Sequence, residues 1–282
     1  MAKYNYKHVF VIGIDGAGVF VKNADMPRLH AIFDKGAVTY NCLTSMPTIS
    51  AQCWGSMILG VDADVHGLTN GIVSENHYDK SDLYPSFMRL ARDAFPDAKL
   101  GAYCAWWPIY KGIIEHDIGV DTARGNDWEL TDKICDYVKE NKPDVMFVQF
   151  DNIDGAGHGK GYGTPEYYEA LHGHDGLIGK LWDAIEDAGI MEDSLVIFTA
   201  DHGGIDQHHG GPTDEERWVF FSAYGKTVAP IRDFKMRIRD IAAIVCFALG
   251  IDKHKDMDSF VPKGLFTDAE NLPVRPDLDA IV

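Results

Sequence analysis

The chain has 282 residues, 46% hydrophobic and 24% charged, a composition suited to one elaborated globular domain spanning 1–282. Its 43 acids against 26 Lys and Arg give a formal charge of -17, which argues against binding a nucleic-acid polymer through a basic surface, so any phosphate must be recognised locally. No apolar run reaches the roughly 18 residues of a membrane span. The five cysteines form no CxxC pair, and the run before Asp15 is too short for a signal peptide, so a cytoplasmic protein with reduced thiols is expected.

In chain order, HVFVIGI (8–14) reads as a fully buried strand, and SMPTISAQCWGSMILG (45–60) places Ser45, Thr48, Ser50 and Ser56 around a helix closing at Gly60. Residues 60–98 and 106–126 are less regular and are expected to form a small insertion over a site, with a strand at KLGAYCA (99–105) between them. A helix is predicted over 126–142, with Trp128, Leu130, Ile134 and Val138 on its apolar side. Then come a strand at DVMFVQF (144–150), a helix over 167–189 and strands at SLVIFTA (194–200) and WVFFSAY (218–224). This alternation predicts an α/β fold with a largely parallel sheet.

Three of the strands end at acids: Asp15, the pair Asp151 and Asp154, and Asp201. Singly, each is a solvated loop carboxylate or a helix cap. Repeated at the carboxyl ends of parallel strands, they predict convergence on one ligand-binding edge. Asp154 and His158 are four apart among glycines, and Asp201 adjoins His202. Mixed carboxylate and imidazole donors suit zinc, with manganese or iron as alternatives. With Asp15 and one histidine of QHHGG (207–211), the set is sized for two metal ions.

The series GIDG at Asp15, the Ser/Thr segment before Gly60, HG at 66–67, D154xxxH158, D201H202G203 and a later HGG resembles the alkaline phosphatase superfamily. The nearest branch is the type I phosphodiesterase and nucleotide pyrophosphatase group, and the resemblance extends through RIRDIAAIVCFALGI (237–251). It implies a three-layer α/β/α sandwich. It further implies two divalent ions, one held by Asp154, His158 and a histidine of the 208–209 pair, the other by Asp15, Asp201 and His202. The family spacing from Asp201 selects His209, leaving His208 a neighbour and Asp206 a solvated acid.

A nucleophile that also ligates metal would lie between the ions. Counting back ten from Gly60, as in related enzymes, selects Ser50, with Thr48 as the alternative. Asn70 is either a phosphate donor or a turn residue, and His66 is structural. Trp54, Trp106 and Trp107 are candidates for an aromatic pocket, Trp54 being better placed in the core. The implied function is hydrolysis of phosphodiesters or nucleotide pyrophosphates, small-molecule phosphate esters, through a Ser or Thr phosphoenzyme. The alternatives are a phosphomonoesterase, a phosphonate hydrolase or a noncatalytic metal-binding module. A sulfatase is disfavoured because AQCW after Ser50 lacks the Pro and Arg of the C/S-x-P-x-R segment, and a phosphomutase because 60–126 is short for its inserted domain.

Overall fold

The computed structural model describes residues 5–269 and 272–277. In chain order the elements are β1 (His8–Ile14), α1 (Pro27–Lys35), β2 (Ala37–Leu43), α2 (Ser50–Leu59), α3 (Ala63–His66), α4 (Asn70–Glu75), α5 (Phe87–Ala94), β3 (Leu100–Cys104), α6 (Pro108–Gly112) and β4 (Asp121–Ala123). They continue as α7 (Asp127–Asn141), β5 (Val145–Phe150), α8 (Asn152–Lys160), α9 (Pro165–Asp187), β6 (Ser194–Thr199), α10 (Asp214–Arg217), β7 (Trp218–Tyr224), β8 (Met236–Arg237) and α11 (Asp240–Leu249). The strands form one eight-stranded sheet in the order β4-β3-β5-β1-β6-β7-β2-β8. β7 alone runs against its neighbours, and every other pair is parallel.

Strand register decides which helices lie on which face. Gly13 pairs with Gln149 and Thr199, and Val11 pairs with Phe147, so these residues share a face. Trp54 of α2 packs edge-on against Phe147 there. Ile14, Phe150 and Phe220 have the opposite parity and meet the other layer, where Phe33 of α1 packs on Phe220 and His174 of α9 on Phe150. Helices α2 and α11 thus cover one face while α1, α7 and α9 cover the other, completing the three-layer α/β/α sandwich.

The predicted helices and strands appear with shifts of one or two residues. The helix expected from 167 begins at Pro165, because Thr164 caps it by accepting from the Tyr167 amide and proline suits the first helical position. Strands β2, β4 and β8 and helix α1 were not anticipated. β4 is a three-residue edge strand and β8 has two residues, too short to show a period, while β2 carries Thr39 and Asn41 within its apolar run. Residues 63–94 supply α3, α4 and α5, and α4 packs against α2 and α6.

Helix α2 positions the site and is buried along its whole length. It presses so closely on β1 that a Cβ added at Gly13 would lie 2.2 Å from Trp54 Cη2. It ends at Gly60, whose φ of 70° is left-handed and readily adopted only by glycine. Gly13→Ala should therefore lower stability by about 3 kcal/mol in urea unfolding, the upper part of the overpacking range. A loss below about 1 kcal/mol would mean that the indole can slide away from the strand.

Candidate active site

Asp15 follows β1 and Asp201 follows β6, both with the side-chain parity of Gly13 and Thr199, so both point toward α2. Both are buried. Asp15 Oδ2 accepts from the Trp54 indole and from the Gln149 amide, each at 2.9 Å. Asp201 Oδ1 accepts from the Gly16 amide at 3.1 Å. The remaining oxygens, Asp15 Oδ1 and Asp201 Oδ2, are buried without a hydrogen-bond partner. They lie 3.4 Å and 3.2 Å from His202 Nε2, which is also 3.3 Å from Ser50 Oγ.

The second group rests on α8, where the four-residue spacing brings Asp154 and His158 onto one helix face. Asp154 Oδ2 is 3.3 Å from His158 Nε2, and Asp154 Oδ1 is 3.8 Å from His209 Nε2. Asp154, His158 and His209 offer donor atoms within 4.8 Å of one another, as do Asp15, Asp154 and His202. Asp154 thus belongs geometrically to both groups. The stacked rings of His202 and His209, centroids 3.9 Å apart, join them.

All three histidines are anchored alike. Nδ1 donates to a backbone carbonyl, Gln207 for His158, Gly203 for His202 and Thr48 for His209. With Nδ1 as the donor, Nε2 is the atom of each ring left to take a cation. The Nε2 atoms of His158 and His209 face each other at 3.1 Å, an arrangement that a shared cation satisfies. Together with the two orphaned carboxylate oxygens, the donor set fits divalent metal bound through oxygen and nitrogen.

Without metal the electrostatics are adverse. Burial, then the charges of Asp201, Asp154 and Asp151, pushes the Asp15 carboxyl well above its usual range. Burial raises Asp201 to about 8, with the Gly16 amide opposing and the charge of Asp154 adding to the rise. Burial also lowers His202 and His209, and Asp151 is raised to about 6 by burial.

Ser50 and Thr48 are both buried but are engaged differently. Thr48 Oγ1 donates to the Gly211 carbonyl and accepts from the Gly210 amide, both at 2.9 Å, so its hydroxyl fastens the loop that bears His209. Ser50 Oγ opens α2 and faces His202. Asn70 Oδ1 accepts from the Ala51 amide at 3.0 Å, which brings this exposed residue beside the start of α2. His66 holds α2 from beneath through Ser56 and the Gln52 carbonyl. His208 and Asp206 are exposed. Trp54 is wholly in the core, whereas Trp106 and Trp107 are half-buried at the end of β3, with Tyr110 against Trp107.

Several residues escaped the sequence reading. Gln149 bridges Asp15 and Asp151 and accepts from the Trp106 amide. An amide inside the apolar strand VMFVQF was the available signal, since buried polar groups need partners. The Tyr162 hydroxyl donates to Asp154 Oδ1, and Glu216 accepts from the Gly211 and Thr213 amides, which supports the His209 loop. Neither carries a local sequence signature.

Residues 9–224 match the family model for type I phosphodiesterase / nucleotide pyrophosphatase. Murine ectonucleotide pyrophosphatase / phosphodiesterase 5 shares the fold with a TM-score of 0.72 at 14% identity, over 88% of this chain and 96% of that one. An inactive form of it, with a threonine-to-alanine exchange and in complex with AMP, gives 0.70 at the same identity and coverage. A 2-O GAG sulfatase gives 0.67 at 13% identity, over 90% of this chain and 73% of that one.

Among curated proteins, the 2,3-bisphosphoglycerate-independent phosphoglycerate mutase of Pseudomonas syringae pv. tomato is 30% identical over 139 residues, 46% of this chain and 25% of the mutase. That of Halobacterium salinarum is 32% identical over 133 residues, 44% and 24% of the two chains. The matched stretch is about a quarter of the length of these mutases. Fold and edge together define an alkaline-phosphatase-superfamily protein. Within that class, the chain belongs to the type I phosphodiesterase / nucleotide pyrophosphatase family.

The raised carboxyls set a pH dependence. Folded Asp201 holds its proton up to about 8, whereas an unfolded aspartate loses it near about 3.9. The folded state binds more protons between those values, so metal-free protein should lose stability as pH rises from about 4 to about 8. Thermal unfolding at pH 5, 6.5 and 8 should show a falling midpoint, and Asp201→Asn should flatten the fall and raise the midpoint at pH 8. A midpoint that climbs over this interval would contradict the assignment.

Proposed function

We propose that this protein is a dinuclear-metal phosphoesterase that cleaves phosphodiesters or nucleotide pyrophosphates through a phosphoserine at Ser50, within a single catalytic domain. The observation that carries this reading is the position of Ser50 Oγ, at the start of α2 and 3.3 Å from His202 Nε2, beside the orphaned oxygens of Asp15 and Asp201. Asp154, His158 and His209 would hold one ion and Asp15, Asp201 and His202 the other, with Asp154 near both. Zinc fits the donors best, with manganese or iron as alternatives. When bound, two such ions supply Lewis-acid charge for the phosphoryl oxygens and for an ionised serine.

The remaining work falls to the chain. Ser50 Oγ attacks phosphorus in line, the ester oxygen leaves, and water then cleaves the phosphoserine and regenerates the hydroxyl. The amino-terminal end of α2 directs its positive pole at the phosphoryl group. Asn70, held by the Ala51 amide, has its side-chain NH2 available to a nonbridging oxygen. Trp106 and Trp107 offer an aromatic wall for the leaving group. Two features favour Ser50 over Thr48: the Thr48 hydroxyl is committed to Gly210 and Gly211, and Ser50 faces His202. That the murine relative's inactive form carries a threonine-to-alanine exchange and AMP supports a hydroxyl nucleophile and a nucleotide-type substrate.

The likeness to mutases favours one second reading, transfer of the phosphoryl group to a substrate hydroxyl instead of water. The free state of all five cysteines supports a reducing, cytoplasmic setting. Among the described residues, no helix is long and apolar enough to cross a membrane.

With zinc or manganese added, bis-p-nitrophenyl phosphate should be cleaved faster than p-nitrophenyl phosphate, and chelation should abolish both activities. Ser50→Ala should lower kcat by at least about 1,000-fold, the scale set by loss of a nucleophile, while Thr48→Ser should keep most activity. Full activity in Ser50→Ala with loss in Thr48→Ala would move the nucleophile to Thr48. Release of phosphorylated acceptor in place of free phosphate would select the mutase reading.

A further inference from the structure

Helix α8 bears Asp154 and His158 yet is poorly equipped to hold itself in place. It has nine residues, NIDGAGHGK, of which Gly155, Gly157 and Gly159 are glycines. Three glycines cost about 3 kcal/mol of helix propensity relative to alanine. Its N-cap residue, Asp151, makes no side-chain cap, and Asp151 Oδ1 accepts from Gln149. The first amides of the helix must therefore find an acceptor elsewhere.

Asp127, at the start of α7, provides it. Its Oδ1 accepts from the Asp151 amide at 3.0 Å and its Oδ2 from the Asn152 amide at 2.9 Å. Oδ2 also receives His174 Nε2 of α9 at 2.6 Å. Asp127 is 1% exposed and His174 fully buried, with Trp128 and Phe150 edge-on to the imidazole. A carboxylate so placed caps α8 from outside and complements its amino-terminal dipole. The imidazole fixes which way the carboxylate faces.

Resting on the metal-site reading above, we infer that Asp127 and His174 are positioning residues for the α8 metal ligands: a buried carboxylate–imidazole pair that sets the placement of α8 and hence of Asp154 and His158. Neither residue touches the donor cluster, and each acts through the backbone at Asp151 and Asn152. Two ligands of the group containing His209, Asp154 and His158, ride on α8, whereas the group containing Asp15 and His202 shares only Asp154 with it, so the pair bears more heavily on the first group.

The test is zinc affinity of the full chain, measured by competition with a chromophoric chelator. His202→Ala leaves the Asp154, His158 and His209 group intact, and His158→Ala leaves Asp15, Asp201 and His202. In the His202→Ala background, His174→Phe should weaken zinc binding by about 10- to 100-fold, the range for lost outer-sphere support. In the His158→Ala background, where Asp154 is the one ligand left on α8, the same change should cost at least about 3-fold less, and in the His202→Ala background His174→Gln, which restores a donor, should recover most of the loss. Asp127→Asn provides a second variant with the same expected pattern. Hydrogen exchange at the Asn152 amide of metal-free protein should speed up in both His174→Phe and Asp127→Asn.

Equal loss of zinc affinity in the two backgrounds, or none in either, would overturn the inference and leave the proposed function standing. Failure of unmutated protein to bind zinc would sink both. Full activity of Ser50→Ala, alongside the expected zinc pattern, would sink the phosphoserine reading alone.

Discussion

Asp15, Asp151, Asp154 and Asp201 converge at one edge of a parallel sheet, where two of them are wholly buried and the other two half-buried. Like charges about 4 Å apart repel by on the order of 4 kcal/mol at the effective dielectric of a protein, so such a cluster is stable only with protons or cations among its members. Burial first, and this repulsion second, raises the carboxyls of Asp15 and Asp201. Divalent ions answer the same constraint and would return these groups to their charged form.

The surrounding structure serves that constraint. Backbone carbonyls orient the three imidazoles, while Trp54, Gln149, Gly16 and Tyr162 each occupy one carboxylate oxygen and leave its partner facing inward. Thr48 and Glu216 brace the loop of His209 on one side. Asp127 and His174 brace α8 on the other. Donor atoms carried by five separate segments thereby meet within a few ångströms, although few of them are neighbours in the sequence.

Much of this was legible beforehand. Buried strands announced themselves as apolar runs, because burial acts on every residue of such a strand, and α7 as a periodic one, because only one of its faces is buried, with Leu130, Ile134 and Val138 inside and Trp128 exposed. The acids at strand ends stood out because parallel topology gives all those ends one location. Short edge strands β4 and β8 left no periodic mark, since two or three residues do not make a pattern. The amide of Gln149 was visible in its strand, but its partner Asp15 lies 134 positions away.

Sequence alone therefore determined the alternation of strands and helices, the family resemblance with the layer architecture it implies, and the candidate donor side chains, because each of these depends on local composition, period or motif. Tertiary structure decided the rest. It placed Asp154 near both donor groups, tied the Thr48 hydroxyl to Gly210 and Gly211 while Ser50 faces His202, and set Asp127 and His174 beneath α8. These relations join residues far apart in the chain, and only the packing of two helical layers against one sheet brings them within hydrogen-bonding reach.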